Sequence, residues 1–186
     1  MISSLKRAAV ISSVIVFVCL GPAHPQDSVS ELGMEKGLKP FAVNILKQIP
    51  LAKGYHEGLY LDGKRVWVSN GEGGDTWILD ASAGEVVETI KPPGGFTEAL
   101  TEGPGGKYYI TDWLDKKLYA ATVEDGKFVA DAVTSFEPAF PAGIIWNGTN
   151  FFVLTWTRGS LGTKFHLWKL DGYFKVIEKV NIRIFQ

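Results

Sequence analysis

A hairpin unit recurs along this chain with a spacing of about 42–46 residues, and a repeat of that length constrains the fold more than any other feature. Gly84, Gly126 and Gly172 mark equivalent turns, and Asn70, Asp112 and Thr155 close equivalent strands. In the first copy, Gly58–Leu61 leads through Asp62-Gly63 into Arg65–Ser69, followed by Thr76–Asp80 and Glu85–Ile90. The second runs through Glu98–Thr101, Tyr108–Thr111, Lys117–Ala120 and Lys127–Ala130, with Asp125-Gly126 as its last turn. The third runs through Gly143–Trp146, Phe151–Leu154, Phe165–Leu170 and Phe174–Ile177, with turns at Asn147-Gly148 and Asp171-Gly172. Asp-Gly and Asn-Gly between β-rich runs mark hairpins, because tight hairpin turns need positive φ. Four short strands per period, with no helical periodicity beyond the N-terminal segment, predict an all-β propeller of four-stranded blades. A β-sandwich or barrel is the alternative that shares these local signals. About three blades are present where a closed ring takes four to eight, so the expectation is a partial or truncated ring.

The repeats occupy a predicted β-propeller-like domain over 41–186, in which Phe41–Ile49 reads as a strand preceding the first copy. The terminal run Val180–Phe185 reads as a strand stopped in progress. Before them, 24–40 is polar, carries Gly33, Gly37 and Pro40, and reads as a flexible linker. Residues 1–23 have the three parts of a signal peptide: Lys6 and Arg7, an apolar run from Ala8 to Leu20, then Gly21-Pro22-Ala23. That run is shorter than the roughly 18–20 residues of a spanning helix, although an uncleaved anchor is the alternative. Leu20 after Cys19 argues against a lipoprotein site. A secreted or periplasmic location follows, with no membrane association after cleavage. Cleavage would leave 17 basic against 20 acidic residues, a net charge of -3, and no cysteine. That balance gives no reason to expect nucleic acid as a partner, and the loss of the thiol excludes disulfides and cysteine nucleophiles. With 46% hydrophobic and 12% aromatic residues the domain can build its core by packing alone.

Few residues offer chemistry. No Gly-x-Ser-x-Gly elbow occurs, since Gly159-Ser160-Leu161-Gly162 is one residue short. His24, His56 and His166 lack paired metal-ligand spacing and read as structural. Asp62, Asp125 and Asp171 are turn residues; Asp75, Asp112 and Asp115 lack calcium-loop spacing. Asn147-Gly148-Thr149 matches a glycosylation acceptor but also makes a good turn. No metal and no cofactor is expected. Glu57 and Glu98 stand out, because each opens a blade where the chain enters the inner part of a propeller. Tyr55 and Phe96 lie two residues before them. Carboxylates against aromatic walls can bind an ammonium group, or have their pKa raised for acid/base work.

These motifs resemble the β-propeller glutamine cyclotransferases (glutaminyl-peptide cyclotransferases) of plants and bacteria over roughly Phe41 to Val180. Phe96-Thr97-Glu98-Ala99-Leu100 with Tyr109-Ile110-Thr111-Asp112-Trp113 is similar to the family's Phe-Gly-Glu-Gly-Ile…Leu-Tyr-x-Leu-Thr-Trp. Tyr55-His56-Glu57-Gly58-Leu59 with Val66–Gly71 is similar to its Phe-Thr-Gln-Gly-Leu…Leu-Tyr-Glu-Ser-Thr-Gly. Trp77–Asp80 with Gly84–Val87 also fits the family's strand–turn–strand pattern. The resemblance implies an aminoacyltransferase that converts an N-terminal glutamine to pyroglutamate and releases ammonia. Glu98 would hold the α-amine and manage its proton, with Tyr55, Glu57, Phe96 and Trp113 binding the substrate. The implied partner is a peptide or small molecule with a free N-terminal amine. Glu57 departs from the family's glutamine, Ala99 from its glycine, and Ala142-Gly143-Ile144 from its Trp-Gly-Leu. The family's later elements would fall beyond Gln186, so self-association is one route to completing the propeller. Two other readings remain: a non-catalytic extracytoplasmic propeller binding module, and a lactonase-like propeller with a divalent metal at Glu98, Glu57 and Asn70.

Overall fold

The computed structural model describes residues 48–160 and 162–182. The signal-peptide and linker readings lie outside them, as does Phe41–Lys47 of the predicted first strand; Gln48 and Ile49 are not in a strand. The described chain forms twelve strands: β1 (His56–Asp62), β2 (Arg65–Asn70), β3 (Thr76–Asp80), β4 (Val86–Ile90), β5 (Thr97–Glu102), β6 (Tyr108–Asp112), β7 (Lys117–Glu124), β8 (Lys127–Ser135), β9 (Phe140–Trp146), β10 (Phe151–Gly159), β11 (Gly162–Leu170) and β12 (Val176–Ile182). They make three four-stranded sheets, β1–β4, β5–β8 and β9–β12, in each of which sequence neighbours pair antiparallel. These are three blades of a β-propeller. Their innermost strands pack in the order β1, β5, β9, and the ring is not closed. A single 3-10 turn, Pro104–Gly106, is the one helical element among the described residues.

The turns follow their residues. Asp125 and Gly126 both have positive φ (50° and 70°), the requirement of the tight two-residue turn joining Glu124 to Lys127. In the terminal run, Val180–Ile182 are in strand and pair with Phe165–Leu167 as the end of β12; the rest of that run lies outside the described residues. Phe174 has φ 66°, which keeps it in the turn, and the fourth strand of the third blade begins two residues later at Val176.

The core lies between blades. Trp67, Ile78 and Ile90 of the first blade meet Leu100, Ile110, Ala121 and Phe128 of the second. Tyr109 and Leu118 of the second, with Phe136 and Ala139 of the connection, meet Phe151, Val153 and Leu170 of the third. Ile49 and Leu51 cover the opposite face of the first blade over Val66, Val68 and Leu79. Each fully buried side chain of this size contributes about 1.5–3 kcal/mol relative to exposure.

A second linkage lies at the inner edge. In every blade the pairing of first and second strands is interrupted at an equivalent place: between His56 and Leu59, between Thr97 and Ala99, and opposite Val153 and Thr155. Such bulges leave backbone groups without ladder partners. Ser69 Oγ accepts from the Gly58 N–H at 2.7 Å and donates to the Glu98 carbonyl of the next blade at 2.9 Å. Thr111 does the same one blade on, accepting from the Ala99 N–H at 3.2 Å and donating to the Ala142 carbonyl at 2.7 Å. Each hydroxyl satisfies its own bulge and ties it to the following one.

Thr111→Val keeps the shape of this buried side chain but strands an N–H and a carbonyl, and should cost about 1–3 kcal/mol in urea denaturation. The Thr97 hydroxyl is equally buried and has no hydrogen-bond partner. Thr97→Val should therefore be near neutral or stabilising, and equal losses for the two variants would refute the linkage.

Candidate functional site

The bulges decide where the acidic residues stand. Glu57-Gly58 lies opposite Ser69, and Glu98 is the extra residue between Thr97 and Ala99. Ala142-Gly143 takes the same place opposite Leu154. A bulge re-aims the side chain it carries, and here it does so at equivalent inner positions of adjacent blades. Close approach of the backbones requires Gly58, where a Cβ would lie 2.6 Å from the Glu98 carbonyl oxygen.

Glu98 is half-buried, and its pKa is pushed up to about 7, first by burial, then by the charges of Glu57 and Asp112. Glu57 is exposed, and partial desolvation raises its pKa as well. The two predicted carboxylates are thus in electrostatic reach of each other, with Glu98 the one that holds a proton near neutrality.

Asp112 organises the walls. Its carboxylate is fully buried, accepts from the Phe96 N–H at 2.9 Å and from the Asp115 N–H at 2.8 Å, and so pins both the approach to β5 and the turn carrying Trp113. Burial raises its pKa while these hydrogen bonds pull it down. The Trp113 N–H also donates to the Phe96 carbonyl at 3.0 Å, as the Gly71 N–H does to Tyr55 at 2.9 Å. Asn70 takes the place of Asp112 in the first blade. Its oxygen lies 2.5 Å from His56 Nδ1, and its amide donates to the Asp75 carbonyl at 2.5 Å. His56 Nε2 lies 2.9 Å from the Ala52 carbonyl, so this histidine ties loops together.

The predicted aromatic residues touch in sequence. Tyr55 meets Phe96 edge-on at 5.7 Å between centroids, and Phe96 meets Trp113 at 5.3 Å. The run continues through two residues that sequence reasoning missed: Phe140 stacks on Trp113 at 5.0 Å, and Trp156 on Phe140 at 4.7 Å. Their signal was present in the repeat. Phe140 precedes Ala142 by two residues, as Phe96 precedes Glu98, and Trp156 follows Thr155 as Trp113 follows Asp112. Lys116 lies over the Phe140 ring and Arg158 over Trp156.

A cleft of about 330 Å³ lies against the first blade, lined by Tyr55, Asn70, Glu72, Asp75 and Trp77 with Lys53 and three glycines. Of the predicted site residues it takes in Tyr55 alone; Glu57, Glu98, Phe96 and Trp113 are outside it. Among the described residues no three His, Cys, Asp or Glu side chains gather as a metal-binding group. Asn70, the third member of the lactonase-like set, has both ends of its amide engaged in the loop.

No protein-family model matches the sequence, and no curated protein matches it. Solved structures do. Hydrazine synthase of Kuenenia stuttgartiensis aligns at TM-score 0.50 and 17% identity over 69% of this chain and 37% of its own. A protein of unknown function from Bacteroides caccae aligns at TM-score 0.50 and 14% identity, over 68% of this chain and 46% of its own. The β-propeller domain of Cps50 (Swd1) from Myceliophteria thermophila aligns at TM-score 0.44 and 11% identity, over 67% and 43%. This chain spans under half the length of each. Among the described residues no helix is long and apolar enough to cross a membrane. The chain carries blades of a β-propeller, and at these identities the likeness is one of fold.

Proposed function

We propose that the inner edge of the blades binds the free N-terminal amine of a peptide and that Glu98 works there as acid and base, in the manner of a glutaminyl-peptide cyclotransferase. The observation that carries this reading is the half-buried Glu98 carboxyl, raised to about 7 by burial and by the charges of Glu57 and Asp112, in a blade whose Phe96 ring touches both Trp113 and Tyr55. As carboxylate it takes one proton from the α-ammonium group and passes it to solvent, freeing the nitrogen lone pair to attack the γ-carboxamide carbon. It then takes the second proton, which the attacking nitrogen sheds as the new bond forms, and as carboxylic acid gives it to the departing nitrogen. The new bond joins the α-nitrogen to the γ-carbon, the old carbon–nitrogen bond breaks, and ammonia leaves. A group with a pKa near the working pH can serve both steps. Aromatic walls that hold the side chain folded back on the amine contribute through orientation. The signal-like segment ending at Ala23 agrees with work on secreted or periplasmic peptides.

One observation favours a second reading, a binding module without chemistry. Ala142 stands where the resemblance has an aromatic wall, and Glu98 does not line the 330 Å³ cleft. Ammonia release from a peptide with N-terminal glutamine decides between them. Under the first reading the protein releases ammonia, and Glu98→Gln lowers kcat/KM by about 10²–10⁴ without loss of fold. Binding of the peptide with no ammonia at any pH leaves the binding module, and neither binding nor release defeats both.

The titration is a separate expectation. The folded-state pKa of Glu98 lies above its ordinary value of 4.5, at about 7. The folded form therefore holds this proton more tightly than the unfolded one. That contribution to stability is full below about 4.5 and is lost as pH rises through about 7. Carbon-detected NMR of the Glu98 carboxyl should show a midpoint near 7, lowered in Glu57→Gln because a neighbouring negative charge has been removed. Stability in Glu98→Gln should vary less with pH over the same window. A Glu98 midpoint in the ordinary carboxylate range would remove the basis for its acid/base role.

A further inference from the structure

The third blade is apolar on both faces. One face lies against the second blade through Phe151, Val153 and Leu170. Strand register places a second set on the opposite face: Ile145, Phe152, Lys169 and Glu178 in one row, Leu154, Leu167 and Val180 in the next, and Phe165 and Ile182 in the third, whose Trp156 lies instead by Trp113 of the second blade. Ile145 is 58% exposed, Val180 46% and Ile182 40%. Among these nine positions only Lys169 and Glu178 are charged, and they stand side by side. A sheet face of this composition is one that is covered.

The same face of the first two blades is covered by the blade that follows, so this surface continues an interface the fold already uses twice. One position differs. Ser69 and Thr111 donate to a bulge carbonyl of the following blade, whereas Leu154 occupies the equivalent position in the third. Here the cover meets a leucine and has no hydroxyl to accept from. A head-to-tail copy would instead bring up the outer face of its first blade, where Ile49 and Leu51 already lie over Val66, Val68 and Leu79.

We propose that this face binds a second copy of the chain, third blade against third blade, about a two-fold axis. Such an interface uses the same patch on both partners. The Leu154–Leu167–Val180 row is apolar and self-complementary, and the adjacent Lys169 and Glu178 let each copy's lysine meet the other's glutamate.

The experiment is sedimentation of the full chain over a wide concentration range. It should give a reversible monomer–dimer equilibrium, with the dissociation constant raised about tenfold or more by Leu154→Glu or Val180→Lys at unchanged far-ultraviolet circular dichroism. A second measurement depends less on folding. Lys169→Glu leaves two acidic residues on the face and Glu178→Lys two basic ones. Each variant alone should stay monomeric at concentrations where the parent dimerises, and the two mixed should pair with each other. A parent that is monomeric throughout overturns the proposal, including one whose face is covered by its own residues 1–47. So do growth into longer head-to-tail assemblies and a dimer indifferent to all four substitutions.

Discussion

A four-stranded sheet with two apolar faces is insoluble as a solitary layer, and that constraint governs the described part of this chain. Trp67 and Ile78 point one way from the first blade, while Val66, Val68 and Leu79 point the other. Each face needs a cover, so blades stack, and the core forms between them rather than within a sandwich of two sheets. Among the described residues, the next blade covers one face of the first and of the second blade, and Ile49 and Leu51 lie over the other face of the first. Stacking also settles where loops and inner edges go, because blades packed face to face bring their first strands together in the order β1, β5, β9.

The interruption of pairing in each blade sets where the side chains of the inner edge stand. A regular ladder would send alternate residues of β5 to its two faces, both of which are filled by neighbouring blades. The extra residue in the bulge releases Glu98 from this alternation. Its carbonyl is held from behind by Ser69 of the preceding blade, and the approach to its strand is held by Asp112. Two polar side chains on rigid strands thus position a carboxyl group that would otherwise sit on a flexible loop. The geometry comes from backbone satisfaction, and the burial that raises the Glu98 pKa comes with it.

Much of this was legible in the residues. Asp-Gly and Asn-Gly turns at a regular spacing mark the blades because those turns demand positive φ, which Asp125 and Gly126 both have. The phase of the repeat also picked out Glu57 and Glu98. It stopped short at the third copy, where Ala142 replaces the acid, and so Phe140 and Trp156 went unnoticed although they share the phase of Phe96 and Trp113. The roles of Ser69 and Thr111 could not be read at all. A serine or threonine in a strand looks the same whether its hydroxyl faces water or a carbonyl one blade away. Phe174 misled for a related reason: an aromatic residue after Asp171-Gly172-Tyr173 has strand propensity, yet its positive φ and its contacts with Tyr109 and Phe151 belong to the turn.

Three equivalent pairs of positions, Glu57 with Asn70, Glu98 with Asp112, and Ala142 with Thr155, show how unevenly charge is distributed over an almost regular scaffold. Only the second blade has acids at both places, and both acids are pushed toward their neutral forms by burial. Asp112 recovers part of the loss through backbone N–H donors, whereas burial and both neighbouring charges all push Glu98 in the same direction. What would relieve Glu98 is a positive charge from outside. A proton supplies one, and an ammonium group would supply another, so under the proposed function the two compete for one carboxylate. By linkage, binding of an ammonium ion depresses the Glu98 pKa by the same free energy with which the carboxylate strengthens binding. The amine then arrives protonated at a group made more willing to stay charged, and the partial burial of Glu98 limits how far water can offset that attraction.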